Sequence, residues 1–144
     1  MKSKYLALAF AIGAMALTGC TIKPMVVHEP TEFMLNTSVS QESLETAIIQ
    51  AALRKQWQVL EKAPGKITLT YPRQSHPRYQ VINAVVRVEY DEKTYRIVHV
   101  SEQGLEMGAC VGEPETQCIH RNYNRWITNL DLQIQKQTAR LNRR

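Results

Sequence analysis

With only six glycines in 144 residues, and none of them gathered into a phosphate-cradling loop, the chain lacks the simplest signal of nucleotide chemistry. It also has no G-x-S-x-G elbow and no H-E-x-x-H pair, so neither an α/β-hydrolase nucleophile nor a zinc-protease helix announces itself. Its four histidines, His28, His76, His99 and His120, are scattered. No nucleophile with an adjacent base and no local pair of carboxylates stands out, and the expectation is a protein that is not an enzyme. Lys and Arg number 18 against 13 Asp and Glu. Beyond residue 19 that excess is +3, because Lys2 and Lys4 precede it. Such a charge is too mild for a nucleic-acid footprint, and the aromatics fall mostly on expected core faces. No nucleic acid, cofactor or metal is expected as a partner.

An apolar run long enough to cross a bilayer is missing too. The stretch from Tyr5 to Leu17 follows Lys2 and Lys4, is too short for a stable spanning helix, and has the form of a signal-peptide core. It closes on Leu17-Thr18-Gly19-Cys20. The segment resembles a bacterial lipoprotein signal with its lipobox. That resemblance implies removal of residues 1–19, a diacylglycerol on the Cys20 thiol and acylation of the new amino group. Each buried methylene adds about 0.8 kcal/mol and stable anchoring takes more than one chain, a condition that a triacylated terminus meets. An ordinary cleaved signal, cut near Ala16 or Gly19, and an uncleaved anchor are the alternatives. Thr21 is not the aspartate that resembles an inner-membrane retention signal, so the expected location is the inner leaflet of an outer membrane, facing the periplasm.

Residues 20–38 read as the lipidated cysteine and a flexible tether, and 39–144 as a single α+β domain of ordinary size. Pro24 and Pro30 interrupt the tether, whose coil dimensions give a reach of roughly 20–25 Å. Two apolar pieces, Met25-Val26-Val27 and Phe33-Met34-Leu35, argue against full disorder and can lie on the folded domain.

The domain opens at Ser40, a helix cap followed by Glu42 in the first turn, with Leu44, Ala47, Ile48 and Ala51 on one stripe to about Gln56. Trp57, Val59 and Leu60 make a short strand, Ala63-Pro64-Gly65-Lys66 a turn, and Ile67, Leu69 and Tyr71 an alternating strand. The two prolines of 72–78 predict a basic surface loop. Ile82, Ala84, Val86, Val88 and Tyr90 then alternate with Asn83, Val85, Arg87 and Glu89, and after the turn at 91–93 Tyr95, Ile97 and His99 alternate with Arg96, Val98 and Val100. Gly104 and Gly108 mark an irregular segment before a final helix from Ile119 to about Leu141. The expected fold is an antiparallel four-stranded meander with two helices packed on one face, in the order α-β-β-β-β-α.

Cys110 and Cys118 remain once Cys20 carries lipid. Seven residues separate them, and in an oxidising compartment they should pair, a nine-residue loop being credited with roughly 2–3 kcal/mol. Cys110, Cys118 and His120 match no common zinc spacing. The final helix begins Ile119-His120-Arg121-Asn122-Tyr123-Asn124-Arg125-Trp126. With the preceding helix, P-G turn and hairpin, this signature resembles a group of small bacterial lipoproteins, a resemblance that covers nearly the whole mature chain and brings no activity with it. Amides and cations are poorly suited to a helix start. One reading has Asn122 and Asn124 bonding nearby backbone while Arg121 and Arg125 pair with Glu89, Glu102 or Glu106. The other gathers His120, Arg121 and Arg125 with Arg73, His76 and Arg78 into a site for an anion or an acidic partner. The expected function is a non-catalytic envelope lipoprotein, held to the membrane by its lipid anchor and contacting or tethering another envelope protein or cell-wall component. Binding of a small anionic or lipidic ligand is the alternative, and a hydrolase the third.

Overall fold

Ser40 starts the first helix for the reason its chemistry implies. Its backbone is extended (φ −62°, ψ 143°) and its Oγ accepts the Ser43 N–H at 3.2 Å, satisfying a donor that a helix start leaves unpaired. The computed structural model describes residues 23–73, 82–141 and 143, and helix α1 spans Gln41–Arg54, burying Leu44, Ala47, Ile48, Ala51 and Ala52. It ends earlier than expected because Gln56 takes a left-handed backbone (φ 64°). There the Gln56 N–H donates to Leu53 O and the Trp57 N–H to Ala52 O, a Schellman closure. Trp57 is consequently a cap residue driven into the core, 1 % exposed, and not the first residue of a strand.

The strands are β1 (Met25–Val26), β2 (Phe33–Met34), β3 (Gln58–Ala63), β4 (Lys66–Arg73), β5 (Ile82–Tyr90), β6 (Thr94–Gln103), β7 (Gly108–Cys110) and β8 (Glu113–Ile119), followed by helix α2 (Arg121–Leu141). The class is α+β. Strands β3 to β6 are successive antiparallel neighbours, and β2 adds to the free flank of β6, giving the order β2-β6-β5-β4-β3. A second antiparallel sheet, β1-β8-β7, corrects the expectation of a single four-stranded meander. Strands of two or three residues are too short to show a period of two, so β1, β2 and β7 leave no mark on the hydrophobic pattern. The segment expected to be irregular is thus a hairpin.

Period-two patterning does organise the large sheet. Ile67, Val88 and Ile97 share one row and Leu69, Val86 and His99 the next, all on the face that buries Ala84, Tyr90 and Tyr95. Tyr90 and Tyr95 are ladder partners, and their hydroxyls donate to Glu45 of α1 at 2.9 Å and to Asp131 of α2 at 2.7 Å. Both helices therefore cover the same face. At the Pro64-Gly65 turn Gly65 has φ 71°, and an added Cβ would lie 3.0 Å from Tyr90 O. Contrary to the expected loop, β4 continues through Pro72 to Arg73. Proline is tolerated there because the β3–β4 ladder has already stopped at Thr70, leaving one flank of β4 open.

The expected tether is described from residue 23, and from there it is docked. Met25 and Val26 pair with Ile119 and Cys118, while Phe33 and Met34 pair with Tyr95 and Thr94. Leu35 N–H donates to Lys93 O at 2.7 Å, Val39 N–H to Glu92 O at 2.9 Å, and Phe33 packs on the Tyr95 ring at 5.3 Å. Leu35 is buried and Val27 and Phe33 pack against the core, which no free tether would allow. Cys20 and residues 1–19 lie outside the described residues.

Candidate functional site

The helix start that looked ill-suited to its residues is explained by where each side chain goes. Ile119, Tyr123 and Trp126 are buried in the core. Between them, His120 occupies the cap position of α2. Its Nδ1 accepts the Asn122 N–H at 3.2 Å, its carbonyl accepts the Tyr123 N–H at 2.9 Å, and its own N–H donates to Leu105 O at 2.9 Å. Capping through Nδ1 needs that nitrogen without its proton, so the imidazole acts here as an acceptor.

Asn124 has the most consequential role. Its Nδ2 donates to Val26 O at 2.7 Å and its Oδ1 accepts the His28 N–H at 2.9 Å. A carboxamide reproduces both halves of a peptide group, so the side chain works as one more ladder step for β1. On the other flank Val27 N–H donates to Gln117 O at 2.9 Å, and the strand is held from both sides. The bonding of Asn124 to backbone was expected; that the backbone lies 98 residues away was not.

The expected pairing of the helix-start cations with acids does not occur among the described residues. Glu89 accepts from Arg87 Nε at 2.9 Å and Arg96 Nε at 2.7 Å, and Glu102 accepts the Leu105 and Met107 N–H groups. Arg125 donates to Asn122 Oδ1 at 3.2 Å, and neither Arg121 nor Arg125 has a carboxylate partner among the described residues. Both are exposed, while His120 is half-buried. Arg73 ends β4 opposite Ile82, and the next residue of β5 pairs with Gln103, so the β4–β5 connection leaves the sheet near the end where α2 begins. His76 and Arg78 lie outside the described residues, as does the rest of that connection. The structure thus gathers His120, Arg121 and Arg125 at one corner.

A second polar feature escaped sequence reading. On the outer face of the large sheet Lys66, Glu89 and Arg96 form one cross-strand row, beside a groove of about 400 Å³ lined by Glu29, Glu32, Arg87, Glu89, Arg96 and Val98. Hydrogen bonds from Arg96 and then Arg87 hold the Glu89 carboxyl below the usual carboxylate range, against the opposing cost of burial. Glu89 thus pairs with both Arg87 and Arg96. The signal was present in the alternation of Arg87 and Glu89, with Arg96 across the turn. On the inner face, the Lys62 and Tyr90 donors lower Glu45, while burial and then the Glu45 bond push Tyr90 up to about 12. Tyr95 and Tyr123 are raised chiefly by burial.

An aromatic chain, Trp57 to Tyr71 at 5.2 Å and Tyr71 to Trp126 at 4.5 Å, ties α1, β4 and α2 together behind this corner, and His99 meets Tyr123 edge-on at 5.5 Å. The expected Cys110–Cys118 disulfide is present, with a Cα separation of 5.0 Å. Among the described residues no three His, Cys, Asp or Glu side chains converge as ligands for a metal ion, and no helix is long and apolar enough to cross a membrane. Compared with family models, with curated proteins and with solved structures, the chain matches none.

Proposed function

We propose that the chain is a non-catalytic lipoprotein of the cell envelope, held at the membrane by acyl chains on Cys20 and contacting another envelope protein or cell-wall component through its folded domain. The observation that carries this reading is the Cys110–Cys118 disulfide, because such crosslinks persist in oxidising compartments and are rare in the cytosol. On this reading the turn it pins offers a contact surface. Val111, 98 % exposed, follows Cys110 on the turn between β7 and β8, where Gly112 supplies the positive φ of 82°. A bare valine on a turn pinned by an adjacent crosslink is an apolar knob already ordered for binding, so little side-chain or loop entropy is lost when a partner covers it.

The docked terminus supports anchoring at short range. Met25 is five residues beyond Cys20, a span of at most roughly 17 Å. The domain is then held against the membrane surface instead of on a long leash. Mass spectrometry of the protein from its native envelope should find a first residue of acylated Cys20 and an oxidised Cys110–Cys118 pair. A bare Cys20 thiol, or a retained leader, refutes the anchor. Photocrosslinking from position 113, beside that turn, should capture a discrete envelope partner that is lost in Val111→Asp.

A further inference from the structure

We infer that the corner formed by Lys23, β1 and the first two turns of α2 is the face on which the domain rests against an anionic lipid surface, with Arg121 and Arg125 among the headgroups. This inference rests on the acylation of Cys20 proposed above and adds an orientation and a lipid class to it.

Strand register carries the first step. β1 runs antiparallel to β8, with Val26 opposite Cys118 and Met25 opposite Ile119. Walking back along β1 from Val26 toward Lys23 therefore means walking forward along its partner from Cys118 toward His120 and Arg121. Lys23, the first described residue, therefore lies on the side of β1 where α2 starts, and the Asn124 clamp on Val26 and His28 holds the strand there. Only two residues separate Lys23 from Cys20, a span of roughly 10 Å when extended. The helix start is thus close to any bilayer that holds the acyl chains.

Charge carries the second. Arg121 and Arg125 are exposed, one helical turn apart, and no acidic residue stands in the first turn of α2. Cations at the positive end of a helix dipole repel it, an arrangement that phosphate-bearing headgroups would relieve, and guanidinium forks bind phosphate bidentately. Met25, 51 % exposed, and Val26, 57 % exposed, supply apolar surface on the same strand. The small sheet is also polarised. Exposed Glu113 and Glu115 lie at the start of β8, the end remote from Ile119 and the helix, while Glu29, whose charge acts on Tyr123, is an acid nearer the helix start. Both guanidiniums lie on an open helix face, which suits an extended surface better than an enclosed small ion.

The test uses the acylated full-length mature protein in vesicles of phosphatidylethanolamine alone or mixed with phosphatidylglycerol, read by amide hydrogen exchange. Exchange over residues 120–126 should slow on the anionic vesicles by about fivefold for each arginine engaged, and the slowing should vanish at high salt. The hairpin turn at 111–113 should not change. Arg121→Glu with Arg125→Glu should abolish the difference between vesicles; the milder Arg121→Gln with Arg125→Gln should abolish it too while leaving the melting temperature unchanged, which separates the effect from misfolding. Equal exchange on both vesicles overturns the inference, as does the same slowing produced by inorganic phosphate without lipid, which would reassign the corner to a small anion. Acylated Cys20 with no slowing defeats the orientation alone, whereas a bare Cys20 defeats the anchor and the orientation with it.

Discussion

The two sheets of this protein are held by different forces. In the large sheet, rows of Ile67, Val88 and Ile97 and of Leu69, Val86 and His99 lie under two helices, and the core beneath them includes side chains with no exposed surface. In the small sheet only Cys118 and Ile119 are buried, while Met25, Val26 and Val111 are exposed. A disulfide and one asparagine supply there what apolar burial supplies elsewhere. A region held by polar and covalent links can open by itself, while a region held by a shared core fails together with the domain.

That contrast can be broken experimentally. The largest effect should follow Ile127→Ala, which empties a fully buried position beneath α2 and should cost about 2–5 kcal/mol, lowering the melting temperature of the whole domain; loss confined to the small sheet would contradict it. Alkali should act on the large sheet next. Burial raises Tyr90 from an ordinary value of 10.0 to about 12, so the stability contributed by its neutral form is complete below pH 10 and is lost as pH rises through about 12. Urea titrations across that window should show the loss, and Tyr90→Phe, which cannot ionise, should reduce it.

The smaller effects belong to the other region. Cys110→Ser with Cys118→Ser should remove roughly 2–3 kcal/mol and speed exchange in β7 and β8 before it touches β5. Asn124→Ala deletes two hydrogen bonds and should cost about 1–2 kcal/mol, with the fastest new exchange at the Val27 and His28 amides. Asn124→Asp sharpens the point, since it keeps the acceptor for His28 and loses the donor to Val26. Arg121→Gln should move stability by no more than about 0.5 kcal/mol, because the side chain is exposed and has no carboxylate partner among the described residues. A larger loss would place Arg121 in the fold and weaken its assignment to a surface.

Legibility in the sequence followed the same division. The stripe of α1, its Ser40 cap, the strand of Ile67 to Tyr71, the alternation through Ala84, Val86, Val88 and Tyr90 and the return through Tyr95 and Ile97 were all readable, because each burial repeats often enough to make a period. The small sheet was not. Met25-Val26 and Phe33-Met34 are two-residue strands, and Gly108 to Cys110 carries no alternation at all. At the candidate site, an asparagine near a helix start announced that something must satisfy it, but its partner, the backbone of β1, lies far away in the chain.

By itself the sequence determined the α+β class, the meander within the large sheet, the helix faces and the pairing of Cys110 with Cys118. These depend on local spacing or on the scarcity of alternatives. Only the tertiary structure decided that residues 25–39 are strapped onto the domain, that Asn124 is the clasp of β1, and that Arg121 and Arg125 stand without carboxylates beside it among the described residues. Hydrogen bonds between distant segments and the company a charge keeps are set by how elements pack, and no window of neighbouring residues records them.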